Sequence, residues 1–136
     1  HRNITNISET AKKEYDCLTA HYEKSCIIWA KNRCNSGVLT FDEDSPDVEA
    51  MRTVYDMFRT NYTEEQLKEW EYEDLGITRE QAFFYAYGVH YCNRVHAPEW
   101  GRHSNLSIRL NSVVSMMPEF TTAFGCRPDN KEYADE

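Results

Sequence analysis

Helix-start signals recur along this chain, and they constrain its fold more than any other feature. Ser8 is placed to cap a helix, and Ala11, Tyr15, Leu18, Tyr22, Cys26 and Trp29 follow at steps of three and four residues. That spacing is the mark of one long helix with a buried stripe. A polar segment from Lys31 to Gly37 ends it. Ser45-Pro46 predicts a second helix with Pro46 in its first turn, Asp47 and Glu49 near the positive end, and Val48, Met51, Tyr55 and Phe58 on its inner face. Thr63 with Gln66, and Thr78 with Gln81, have the spacing of a capping box, so two more helices begin there, separated at Gly76. From Phe83 to Tyr91 the chain is apolar almost all round, which predicts a central, enclosed helix. A loop with Pro98 and Gly101 leads to His103, and Leu106, Leu110, Val113, Val114 and Met117 mark a further helix. Pro118 opens a last short one that Gly125 stops. The chain reads as all-α, with strands confined to short pieces around Val38 to Phe41 and a frayed tail after Cys126.

A length of 136 residues makes one domain or part of one. The net charge of -8, from 23 acidic against 15 basic side chains, argues against nucleic acid as a partner, because phosphate neutralisation needs a basic footprint. No apolar run approaches the length that crosses a bilayer, so any membrane anchor is expected outside this sequence. Asn3, Asn6, Asn61 and Asn105 each open an N-x-[ST] acceptor, and Cys17, Cys26, Cys34, Cys92 and Cys126 suit an oxidising compartment. Both features predict an extracellular glycoprotein. The cysteine spacings do not read as a zinc ribbon or a CxxC pair, and their connectivity stays open.

Three ordered blocks carry a resemblance. HSNLSIRLNSVVSMMPEFTTAFGC, from His103 to Cys126, places a histidine of an HS pair six residues before Arg109, ahead of an EF..AF.C segment formed by Glu119, Phe120, Ala123, Phe124 and Cys126. QAFFYAYGVHYC, from Gln81 to Cys92, has a QxFF start and a cysteine nine residues after Phe83. FDEDSPDVEAMRTVY, from Phe41 to Tyr55, keeps a glutamate and an aspartate four residues apart, Glu43 and Asp47. Together they resemble the C-terminal part of the neprilysin-like (zincin) metallopeptidases, with the third block in the place of a GENIAD-type motif. Its Gly, Asn, Ile and Ala have become Asp42, Asp44, Ser45 and Pro46. The opening His1-Arg2-Asn3 looks like the stretch just after that family's zinc-binding helix. The resemblance implies that residues 1–136 are the C-terminal part of one such peptidase domain.

It also implies roles. Glu43 would be the third zinc ligand and Asp47 its support. His103 would help stabilise a tetrahedral intermediate, and Arg109 would hold a substrate carbonyl through its guanidinium fork. The first two zinc histidines and the general base come from HExxH on one helix turn, and His1, His21, His90, His96 and His103 are never so arranged. This chain alone is therefore not expected to bind zinc or to be active. The resemblance further implies that Cys17, Cys92 and Cys126 pair with cysteines of an N-terminal remainder or another chain, while Cys26 and Cys34 are extra and suited to a small local loop.

Plainer readings stand beside these. Pro46 disfavours helical geometry at Ser45, which would leave Glu43 in a loop where the DEDSPD run only caps a helix. His103 reads equally as an exposed loop histidine and Arg109 as half of a structural ion pair. The aromatic run Phe83, Phe84, Tyr85, Tyr87 and Tyr91 reads as core packing. Asn105 lies between His103 and Arg109, where a glycan would obstruct a cleft. The expectation is a catalytically impaired, peptide- or protein-binding pseudopeptidase. The alternative is part of an active zinc endopeptidase whose HExxH helix lies outside this chain.

Overall fold

In the computed structural model, residues 8–27, 30–92 and 102–129 are described. The opening His1-Arg2-Asn3, the acceptors Asn3 and Asn6, Trp29, His96, Pro98 and the tail from residue 130 lie outside them. Helix α1 spans Glu9–Glu23 and is capped as expected, Ser8 Oγ accepting from the Ala11 N–H at 3.2 Å. It stops earlier than the apolar stripe predicts. Strand β1, Cys26–Ile27, pairs antiparallel with β2, Ala30–Cys34, and a disulfide joins Cys26 to Cys34. Those cysteines are separated by 8 positions, so in a continuous helix they would stand about 12 Å apart. The bridge requires the chain to reverse, and the Ser25 hydroxyl finishes the helix by donating to the His21 carbonyl at 3.1 Å.

Helix α2 corrects the second expectation. It runs Gly37–Arg59, so its first turn occupies the Val38–Phe41 stretch read as strand, and Pro46 lies inside it. A helical proline withholds the N–H that would bond the carbonyl four residues earlier. Here that carbonyl belongs to Asp42, and both Asp42 and Pro46 are exposed, so the lost bond falls on the solvent side. The opposite side is held by buried Thr40, Asp44, Val48, Met51 and Tyr55. The helix start packs tightly on α1: a Cβ on Gly37 would stand 2.1 Å from the Thr19 carbonyl oxygen, and the Gly37 N–H donates to Glu23 Oε2 at 2.8 Å.

Both capping boxes form. Thr63 and Gln66 open α3, Glu64–Leu67, and Thr78 and Gln81 open α4, Arg79–His90. Between them β3, Trp70–Tyr72, pairs with β4, Ile77–Thr78, across a 3-10 turn that Gly76 closes at φ 62°. Arg79 ties this hairpin down, donating to Glu71 at 3.0 Å and to the Gln66 carbonyl at 2.7 Å. Among the described residues, strands thus exist as two short hairpins in a mainly helical fold, at positions other than the one expected. Helix α4 is less enclosed than its composition predicts. Phe84 is buried against Tyr55 and Phe120, while Tyr85 and Val89 are 53% and 71% exposed. Helices α5, Leu106–Val114, and α6, Pro118–Phe124, follow the expected pattern, with Gly125 left-handed at φ 60°. Tyr22, Val48, Met51, Tyr55, Ile108 and Val113 centre the core where α1, α2 and α5 meet.

Candidate functional site

Continuity of α2 through Pro46 puts Glu43, Asp44 and Asp47 on a helix, and i, i+4 spacing sets Glu43 and Asp47 on one face. The expectation that Glu43 falls in a preceding loop is overturned, because the proline's missing bond is on the exposed side. The segment from His103 to Arg109 lies against that face. His103 Nδ1 stands 3.5 Å from Glu43 Oε2, with the imidazole 59% and the carboxylate 36% exposed. Arg109 grips Asp47 with both arms, Nε donating to Oδ2 at 2.6 Å and a terminal nitrogen donating to Oδ1 at 2.8 Å. This ion pair is largely covered, at 22% and 15% exposed, and the bond to Asp47 holds the guanidinium pKa above its ordinary value.

Asp44, between them, is 1% exposed. Its two oxygens accept from the Ser104 hydroxyl at 2.7 and 2.8 Å, from Thr40 Oγ1 at 2.6 Å and from Asn35 Nδ2 at 3.3 Å. Burial pushes its pKa up, and these donors pull it back. Sequence reasoning treated Asp44 only as a departure from a motif and missed this cluster. Thr40 lies one turn away on the same helix, but Asn35 and Ser104 come from outside it, and only the adjacency of Ser104 to His103 hinted at the cluster.

A cavity of about 450 Å³ opens beside the Arg109–Asp47 pair, between α2 and α4, where Met51, Val54, Phe83, Tyr87 and Tyr91 supply apolar walls. The Arg109 guanidinium also sits over the Tyr91 ring, 5.3 Å from its centroid. A smaller recess of about 210 Å³ adjoins His103 on the side of the disulfide hairpin, with Asn35, Leu39 and Asn105 on its walls. Asn105 is the N-cap of α5, its Oδ1 accepting from the Ser107 N–H at 3.0 Å. Asn61 is exposed at the C-terminal end of α2. Cys17 and Cys92 are exposed thiols and Cys126 is partly buried.

The family model of peptidase family M13 matches residues 3–136, nearly the whole chain. The chain belongs to peptidase family M13. No curated protein and no solved structure matches it. M13 enzymes are zinc metallopeptidases, and the neprilysin-like resemblance is thereby established for this region. A peptidase zinc ion takes three protein ligands with a water in the fourth position. Among the described residues no group of three His, Cys, Asp or Glu side chains is placed to hold an ion. Glu43 offers one carboxylate with a histidine beside it, while Asp44 and Asp47 are committed to other partners. The described residues by themselves therefore do not fit the M13 zinc. No described helix is long and apolar enough to cross a membrane, and the disulfide together with M13 membership fits an extracellular domain.

Proposed function

We propose that this protein is an extracellular, neprilysin-like M13 glycoprotein that recognises peptides or an extended protein segment and is impaired in hydrolysis. The observation that carries the reading is the state of Arg109. Guanidinium has five N–H donors, and Asp47 takes two of them in a fixed fork, which aims the plane while leaving donors for a backbone carbonyl. The apolar cavity beside it offers room for a side chain of the same peptide. His103 is a second donor at the other end of the Glu43–Asp47 face. Impairment is inferred from the four replaced residues around Glu43 and from the acceptor at Asn105, where a glycan would crowd the recess beside His103. Glycans at Asn3, Asn6 and Asn61 belong to the same proposal. So does an N-terminal remainder or disulfide-linked chain that pairs with Cys17, Cys92 and Cys126, and so does any membrane anchor.

A second reading has its own support. Glu43 and Asp47 lie one helical turn apart facing His103 and Arg109, which suits the roles of zinc ligand, support and substrate contacts in an active endopeptidase whose HExxH helix is elsewhere. Titration of the full-length protein with N-acetyl-Leu-Phe-amide, followed by mass spectrometry of the peptide, separates the two. The first reading expects binding that Arg109→Ala abolishes and an intact peptide. Cleavage abolished by chelator establishes the second, and no binding at all overturns the first.

A further inference from the structure

We infer that Asp44 is a positioning residue of this site, a buried anchor that holds Ser104 and thereby sets His103 against Glu43 and α5 against Asp47. The inference rests on the peptide-binding reading for its functional consequence, and on the packing for its geometry. A carboxylate 1% exposed is costly to keep unless its lone pairs are met. Three donors meet those of Asp44, one from its own helix, one from just before that helix and one from far along the chain. Thr40 comes from the preceding turn of α2. Asn35 comes from the foot of the disulfide hairpin, where its backbone N–H donates to the Ser25 carbonyl at 2.8 Å. Ser104, itself 4% exposed, comes from a point 60 residues away in the chain.

The position of Ser104 gives this contact its reach. Its N-terminal neighbour is His103 and its C-terminal neighbour is Asn105, the residue that caps α5. Fixing Ser104 therefore fixes the approach of the imidazole to Glu43 and the start of the helix that delivers Arg109 to Asp47. Glu43–His103, Asp44–Ser104 and Asp47–Arg109 form a ladder between two segments, and the middle rung is the buried one. A side chain at 44 with no acceptor, such as alanine, leaves all three donors unmet.

The test compares wild type, Ser104→Ala, Ser104→Thr and Asp44→Ala in the full chain. Two readouts are nuclear Overhauser contacts between the His103 ring and the Glu43 side chain, and the affinity for N-acetyl-Leu-Phe-amide. In Ser104→Ala and Asp44→Ala the ring contacts are expected to vanish and the affinity to fall about tenfold or more in protein that is still folded. Ser104→Thr, which keeps the hydroxyl, is expected to restore both. Melting temperature is followed in parallel, because a purely structural role would lower it while leaving the affinity of the folded fraction unchanged. Ser104→Ala with wild-type ring contacts overturns the inference. Wild type that shows the ring contacts but binds no peptide overturns the functional reading and leaves the positioning role standing.

Discussion

Arg109 and Lys are not equivalent at a site like this one, because only a planar fork can meet both oxygens of Asp47. Arg109→Lys is expected to keep the charge yet lose about 1 kcal/mol of stability in urea unfolding and most of the peptide affinity. His21, on α1, carries a pH dependence. His21 Nε2 lies 3.1 Å from the Ser112 carbonyl oxygen, so that nitrogen carries a proton and donates it there. Burial lowers its pKa below the ordinary 6.5. A depressed histidine contributes stability that is complete above pH 6.5 and is lost as pH falls through the folded-state value. His21→Asn is therefore expected to flatten the decline of melting temperature below pH 6.5. Comparing variant with wild type cancels Asp44, whose raised pKa acts in the opposite sense. The pairing of Glu43 with Asp47 was readable from their spacing, whereas the role of Asp44 was not. Spacing reports which side chains share a helix face, and nothing local reports a donor arriving from Ser104.

Helix α2 shows how a local signal can be correct chemistry and still mislead. Ser45-Pro46 has the composition of a helix start, but the cost of an interior proline is confined to one carbonyl on the exposed side. Pro46→Ala restores that bond and is expected to raise stability by about 1–3 kcal/mol in urea unfolding, with His103 and Arg109 unmoved. A decrease would mean that the ring shapes the face carrying Glu43 and Asp47. The capping boxes at Thr63 and Thr78 were legible because both partners lie within one turn. The apolar stripe of α1, which runs on through Cys26, masked the first hairpin, although the reading of Cys26 and Cys34 as closing a small local loop is borne out by their disulfide. Replacing Cys26 and Cys34 by serine is expected to cost about 2–3 kcal/mol, the loop-closure contribution for a ring of this size. It should also loosen Asn35 and with it one of the three donors to Asp44.

Taken whole, the molecule sets a three-helix core of α1, α2 and α5 beneath a ladder of acidic and basic groups, with an apolar cavity alongside and exposed thiols at Cys17 and Cys92. Its family was legible in three ordered blocks of sequence, because motif residues keep their spacing even where the residues between them change. Whether the ladder serves recognition or hydrolysis turns on a metal, and spacing on one chain does not supply the other ligands. Zinc stoichiometry of the full-length protein, measured by mass spectrometry of the metal in wild type and Glu43→Ala, addresses this most directly. The expected result is well under one zinc per chain, unchanged by the substitution, in protein that binds peptide. One zinc per chain, lost in Glu43→Ala, would contradict it and establish a working peptidase centre.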